Sequence, residues 1–252
     1  IELFGNGLIH KTYLLSKNNL PHYILQQVNT AVFKQPDAIA NNLERLEFFL
    51  RDKDIPLFFP LPLKTLSSEY HLSMNEMVLR LTAFVKDSHS IDSCNNPDQA
   101  YAAAFQFGKF TAAFDGLDTK QLQPTIPDFH NLTYRWRQFE EALLQGNKDR
   151  IQFAEKQIKF IFENKSIVDR YEAILKSPSF FQRVTHHDTK INNVLFDTKG
   201  EGLCVIDLDT VMSGLSISDL GDMFRTYLSP GTEEELDLEK VFVRKAYFNA
   251  IV

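Results

Sequence analysis

This 252-residue chain has only two cysteines, Cys94 and Cys204, and neither stands in a metal-type spacing. A disulfide framework needs more thiols and a zinc site needs closely paired ligands, so neither is expected. The scarcity fits a reducing compartment, the cytoplasm. Cys204 falls in an apolar run and is expected to be a small core residue. Clustered cations are also missing. The 27 Lys and Arg are outnumbered by 33 Asp and Glu, the net charge is −6, and no basic run stands out. A nucleic-acid partner demands clustered Lys and Arg against phosphates, so none is expected. No apolar run approaches the roughly 20 residues of a membrane span, and the first residues do not read as a signal peptide; no membrane partner is expected. No internal repeat or low-complexity segment is visible. What the chain does have is core material: 44% hydrophobic residues and 22 Phe, enough for a packed globule.

The first third reads as strands around one helix. Leu8 to Leu15 and Tyr23 to Val28 are β-rich, with Ser16-Lys17-Asn18-Asn19 as a turn between them. Pro36 opens a helical pattern to about Arg51, with Ile39, Leu43, Leu46 and Leu50 on one face. His71-Leu72 and Met77 to Phe84 resemble two further strands. From Asn96 the character changes. Asn96 can cap a helix, Pro97 suits its first position, Gln99 sits where a capping-box partner belongs, and Asp115-Gly116 ends it. Gly108, mid-helix, is expected at a close packing contact. Helices are expected over Tyr134 to Gln145 and Lys148 to Lys176, and again after the motif described next. The division is an N-terminal lobe, 1–86, and a helical C-terminal lobe, 87–252, with the boundary near Val85 to Ser90.

One stretch carries chemistry. Thr185-His186-His187-Asp188-Thr189-Lys190-Ile191-Asn192-Asn193 reads H-x-D-x-K-x-x-N, and Val205-Ile206-Asp207-Leu208-Asp209 is an apolar strand ending in Asp. A kinase-type phosphotransferase needs this pairing. One carboxylate, Asp188, must meet an acceptor hydroxyl. One amide oxygen, Asn193, and one further carboxylate, Asp207, must hold Mg²⁺ against phosphates. The gap of five from Asp188 to Asn193 lets a tight loop turn both side chains into one cleft.

The nucleotide side is less regular. Gly5-Asn6-Gly7 precedes the first strand run and Thr12, and two glycines let backbone N–H groups approach phosphate oxygens. The third glycine of the protein-kinase pattern is absent, with His10 near its place. The next strand should supply a phosphate-binding lysine, yet Tyr23-Ile24-Leu25-Gln26-Gln27 has none. Alternation puts Ile24 and Gln26 on one face, so Gln26 is the candidate over Gln27. Its amide can donate to phosphate but adds no charge. Glu44, on the following helix, is its candidate partner, with a surface-exposed place as the equal alternative. Phe84 and Val85 are where an inter-lobe hinge would offer backbone groups to adenine.

These residues together give the chain a family likeness. It resembles the aminoglycoside phosphotransferase and choline kinase superfamily and, within it, bacterial N-acetylhexosamine 1-kinases. Residues 23–30, 185–193 and 205–212 carry the likeness, with Asp219-Leu220-Gly221-Asp222. The resemblance implies an α+β, protein-kinase-like two-lobe fold with a small antiparallel-sheet N-lobe and a mostly helical C-lobe. It implies ATP and Mg²⁺ as cofactors and a small-molecule sugar as substrate. Homoserine, choline or another amino alcohol is the sibling reading, and a nucleotide-binding pseudokinase the non-catalytic one. Carried over, Asp188 is the catalytic base or hydroxyl-orienting residue, and Lys190 neutralises the moving phosphoryl group. Asn193 and Asp207 resemble the metal ligands, and His186 and Asp222 resemble scaffold residues of the catalytic loop. Asp209 stays open between a second metal, the substrate and a structural place. Pro127-Asp128-Phe129-His130 and Arg135 resemble a family loop near the acceptor cleft, which makes His130 a substrate candidate; Arg225 is another. Family members begin slightly before Ile1 and continue past Val252, so the chain is expected to be part of a longer protein.

Overall fold

Two asparagines in the left-handed backbone region, Asn18 at φ 53° and Asn19 at φ 61°, close the first hairpin. Such a pair of positive φ values is what a two-residue turn between twisted strands requires, and Asn tolerates it. The computed structural model describes residues 1–5, 9–231 and 235–252. Gly7 and Leu8, singled out in the sequence, lie outside the described residues.

The hairpin joins β2 (Lys11–Lys17) to β3 (Leu20–Val28). With β1 (Glu2–Leu3), β4 (Leu72–Met74) and β5 (Met77–Ala83) they form an antiparallel sheet in the order β1-β2-β3-β5-β4. Its register places Thr12 opposite Gln26 and Gln26 opposite Arg80. Directly opposed residues share a face, so these three side chains form one row across three strands.

Helix α1 (Pro36–Leu50) buries Ile39, Leu43 and Leu46, as its periodicity predicts, and it also buries Asn42. The Asn42 amide donates to Gln123 O (2.8 Å) and Val211 O (2.9 Å) and accepts from Gln123 N (2.7 Å). The polar group is fully paired, so it can sit in an apolar face.

Helix α2 (Pro97–Ala113) begins as expected: Asn96 Oδ1 accepts from Gln99 N at 2.9 Å, and Gln99 Oε1 accepts from Asn95 N at 2.9 Å. Gly116, at φ 84°, follows its end. Phe107 and Phe110 of α2 are buried in the main apolar cluster with Leu46, Val194, Phe196 and Val205. Gly108 corrects an expectation. It is exposed, and a Cβ built there meets nothing within 4 Å, so no neighbouring backbone demands glycine.

Contacts divide the chain into two compact units, Ile1–Ile126 with Gln182–Val252, and Pro127–Phe181. The second holds α3 (Leu132–Gln145), α4 (Lys148–Phe153), α5 (Glu155–Glu163) and α6 (Ser166–Lys176). The single helix expected over Lys148 to Lys176 is therefore three. Asn164 donates its side-chain amide to Phe160 O (2.8 Å), a local bond that competes with helix continuation, and no Gly or Pro marks either break.

Two short ribbons frame the motif residues in the first unit. β6 (Arg183–Thr185) pairs with β9 (Met212–Gly214), and β7 (Val194–Phe196) pairs with β8 (Gly202–Val205). The loop 186–193 is thus held between β6 and β7, and Asp207 follows β8. Helix α7 (Ser216–Tyr227) comes next, and α8 (Lys245–Ile251) ends the unit. Cys204 is buried in β8 as expected. Among the described residues, no helix is long and apolar enough to cross a membrane.

Candidate active site

The loop 186–193 has little regular structure, so its backbone donors need other acceptors. Helix α7 supplies them. Asp219 accepts from His186 N (2.9 Å) and His187 N (2.7 Å), and Asp222 accepts from Thr189 N (2.6 Å). The Thr189 hydroxyl donates to Asp219 O (2.8 Å), and the Tyr227 hydroxyl donates to Thr189 O (2.7 Å). Asp219, Asp222 and Tyr227 lie close together on one helix face at i, i+3 and i+8. With both carboxylates fixed, His187 is held at φ 67°, outside the usual range for a non-glycine residue.

His186 is the peg beneath the loop. Its ring sits edge-on to Phe107 (5.0 Å between centroids) and Phe110 (6.0 Å). Nδ1 accepts from Asp188 N (3.3 Å), which leaves Nε2–H to donate to Ile206 O (3.0 Å). Burial pulls its pKa below the ordinary histidine value, so the ring is neutral. Burial pushes the Asp219 carboxyl up to about 7, against the pull of its two N–H donors. Asp222 and His186 therefore occupy the supporting places that the family likeness implies, and Asp219 joins them.

The two motif segments meet through one backbone bond, Ile206 N to Asn193 O at 2.8 Å. The Asn193 amide nitrogen donates to Asp188 O (2.9 Å) and Asp188 Oδ2 (3.0 Å). That orients the Asn193 amide oxygen away from Asp188, and it takes no partner among the described residues. Lys190 Nζ lies 3.3 Å from the same Asp188 oxygen. The other carboxylate oxygen, Asp188 Oδ1, has no hydrogen-bond partner among the described residues. Asp207 adopts the left-handed region, φ 58° and ψ 64°. Burial and the neighbouring Asp209 charge push its carboxyl above the ordinary carboxylate pKa.

A cleft of about 270 Å³ lies between the sheet face and this loop. Gly5, Thr12, Gln26, Phe84, Val85, Asn193, Asp207 and Asp209 all line it. Asp188 and Lys190 are not among the lining residues; Asp188 is bonded to the lining Asn193, and Lys190 to Asp188. The hinge is partly committed: Phe84 N donates to His22 O (2.9 Å), and the Ser88 hydroxyl donates to Val85 O (2.7 Å). Phe84 C=O and Val85 N–H have no such bond among the described residues, and both residues line the cleft.

Other candidates are placed differently. Glu44 is exposed on α1 and is not among the cleft residues, because the face that α1 turns inward carries Leu43 and Asn42. The partner of Gln26 is Arg80 instead: Arg80 Nε donates to Gln26 Oε1 at 2.9 Å, while Gln26 Nε2 donates to Thr12 Oγ1 at 3.3 Å. Arg225 pairs with Asp222 Oδ1 at 2.7 Å. His130 belongs to the second unit, where its carbonyl accepts from the Tyr171 hydroxyl at 3.3 Å. In the same unit, Arg135 donates to Gln138 Oε1 (2.8 Å) and Phe129 O (3.3 Å).

Asp209 is buried and doubly engaged. Both its oxygens accept from the two terminal nitrogens of Arg80, and Oδ2 also accepts from His10 Nε2 at 2.6 Å. His10 Nδ1 accepts from Asn29 N (3.0 Å), so Nε2 carries the proton given to Asp209. Burial alone would raise the Asp209 pKa, but Arg80 and then His10 hold it well below the ordinary carboxylate value. Sequence reasoning missed Arg80 altogether. Its one signal is an arginine in the middle of the apolar run Met77–Ala83.

A half-buried left-handed aspartate after a strand, an asparagine bonded to a loop aspartate, and a sheet face across the cleft from both make a phosphotransferase arrangement. A model of the phosphotransferase enzyme family matches residues 1–242. The chain belongs to this family. Solved structures agree on the kinase-like fold. An aminoglycoside phosphotransferase from Alicyclobacillus acidocaldarius is 13% identical over 87% of this chain and 68% of its own, with a TM-score of 0.57. An amicoumacin kinase, solved with AMP-PNP, Ca²⁺ and Ami, is 11% identical over 99% and 70%, with a TM-score of 0.61. A microcompartment-associated aminopropanol kinase is 15% identical over 99% and 74%, with a TM-score of 0.59. This phosphotransferase chain thus spans about two thirds to three quarters of the length of these structures.

Proposed function

We propose that this phosphotransferase moves the terminal phosphoryl group of ATP to a hydroxyl of a small sugar, with the anomeric 1-hydroxyl of an N-acetylhexosamine as acceptor. One observation supports the ATP-dependent reading: Asn193 and Asp207 line one cavity, and the Asn193 amide is bonded to Asp188, so two cation-type oxygens border that cavity with a carboxylate held directly behind one of them. In this reading Asp188 Oδ1 orients the acceptor hydroxyl and takes its proton, and Lys190 neutralises charge on the moving group. Asn193 Oδ1 and Asp207 are hard oxygen donors of the kind Mg²⁺ takes. When bound, Mg²⁺ would neutralise phosphate charge. Phe84 C=O and Val85 N–H would meet the adenine edge, and Gly5 the phosphates. Catalysis is then mainly positioning, which a fixed loop supports. The functional division follows the two lobes, 1–86 for nucleotide and 87–252 for the acceptor, in a cytoplasmic enzyme.

The sugar rests on the joint likeness of residues 23–30 and 185–212 to the hexosamine kinases. The neighbour described as an aminopropanol kinase supports the amino-alcohol alternative. ATP consumption over a panel separates them. N-acetylglucosamine or N-acetylgalactosamine should outrun homoserine, choline, aminopropanol and kanamycin-type acceptors. Plain glucose should be poorer, because polar groups built for an acetamide stay unpaired without it. Phosphorus NMR should show a phosphate coupled to the anomeric proton. Faster amino alcohols, or a 6-phosphate product, would end the sugar reading and leave the kinase reading standing. ATP binding without turnover of any acceptor would favour the pseudokinase.

A further inference from the structure

The absence of a lysine on β3 and the presence of a buried arginine on β5 explain each other. Gln26 and Arg80 are directly opposed in the sheet, and both line the cleft. Arg80 is the one lysine or arginine among the described residues lining it. The geometry points to Arg80 as the group that meets the nucleotide phosphates, with Gln26 as the residue that positions it. This inference rests on the nucleotide-dependent reading above.

A guanidinium has five N–H groups. Arg80 gives Nε–H to Gln26 and one hydrogen from each terminal nitrogen to Asp209. Two N–H groups therefore remain, on a side chain that borders the cavity beside Asp207. Asp209 takes the paired fork, and each remaining N–H can give one charge-assisted hydrogen bond to a phosphate oxygen. Gln26 has a defined role in this arrangement. Its Nε2 is spent on Thr12 Oγ1, so Oε1 must face Arg80 and fixes the roll of the guanidinium plane. A lysine at position 26 would put a second cation where that oxygen accepts, 2.9 Å from Nε, inside a low-dielectric wall. Asp209 holds the guanidinium from the other side, and the protonated Nε2 of His10 steadies Asp209 in turn. The positive charge that a kinase places on β3 has moved one strand over.

Calorimetric titration with ADP and with adenosine, each in Mg²⁺ buffer, tests this. Arg80→Gln should weaken ADP by about tenfold to a hundredfold, the scale of lost charge-assisted hydrogen bonds, and leave adenosine within about twofold. Gln26→Lys alone should also weaken ADP. Combined with Arg80→Gln it should restore much of the loss, since the cation returns to β3 without a rival. A residue acting only in packing would change adenosine and ADP together and would gain nothing from the second substitution. Thermal melts check folding, and if Arg80→Gln is unfolded, Arg80→Gln with Asp209→Asn replaces it, removing both charges of the buried pair. Unchanged ADP affinity, a parallel loss for adenosine, or no recovery in the exchanged pair each overturns the inference. A wild-type protein that binds neither ADP nor ATP would overturn the kinase reading itself.

Discussion

Asn42 offers a sharp test of how α1 is tied to the loop that follows Asp209. The side chain is 1% exposed and makes three hydrogen bonds, all to backbone groups of Gln123 and Val211. Asn42→Ala leaves three buried backbone groups without that partner. A typical net loss is about 1 kcal/mol per bond, so the variant should be destabilised by about 3 kcal/mol. Asn42→Asp is nearly isosteric but should be worse at neutral pH. It keeps an acceptor for Gln123 N–H, but it turns carboxylate oxygens toward two carbonyl oxygens and buries a charge. Burial and those carbonyls would raise the introduced carboxyl's folded pKa above its unfolded value of about 3.9. A raised folded pKa means the deficit is largest above that pKa and shrinks as pH falls toward the unfolded value. Urea unfolding of the wild type and both variants at neutral and mildly acidic pH measures this. A cost below about 1 kcal/mol for Asn42→Ala would refute the assignment of all three bonds. So would an Asn42→Asp deficit that grows as the pH is lowered.

Asp188→Asn should cut kcat by about 10²–10⁴-fold with nucleotide affinity nearly unchanged, since shape is kept and proton acceptance lost; near-normal turnover removes Asp188 from the mechanism. Asp207→Ala should raise the Mg²⁺ needed for half-maximal activity more than Asn193→Ala does, because it removes a charge as well as an oxygen. The same Asp207→Ala change should raise the metal-free melting temperature at neutral pH, because burial and Asp209 disfavour the Asp207 charge; an unchanged Mg²⁺ titration would undo the metal assignment. Gly108→Ala should stabilise the fold by about 0.5–1 kcal/mol, as an exposed helix-interior glycine with open space at Cβ; a destabilised variant would mean the glycine is packed after all.

The sequence by itself determined the parts of this protein that depend on local chemistry. The Asn96-Pro97-Gln99 helix start and the face of α1 follow from backbone preference and period and stand where the pattern puts them, while the turn expected over Ser16 to Asn19 tightens to Asn18-Asn19, with Ser16 and Lys17 paired in β2. The spacing from Asp188 to Asn193 is a local matter too: a short loop allows few geometries, and the Asn193 amide bonds Asp188 within it, while Asn193 lines the cleft with Asp207, just past β8. Tertiary structure decided what depends on distant partners. Whether Gly108 is packed, whether 148–176 is one helix or three, and whether Glu44 or Arg80 meets Gln26 turn on which elements neighbour each other, and no local pattern carries that. Asp209 shows the difference most clearly. Three readings were open for it along the chain, and the structure gives it Arg80, 129 residues away, and His10, 199 residues away, as partners. A buried carboxylate takes its character from the charges packed around it, and those charges are assembled only when the chain has folded.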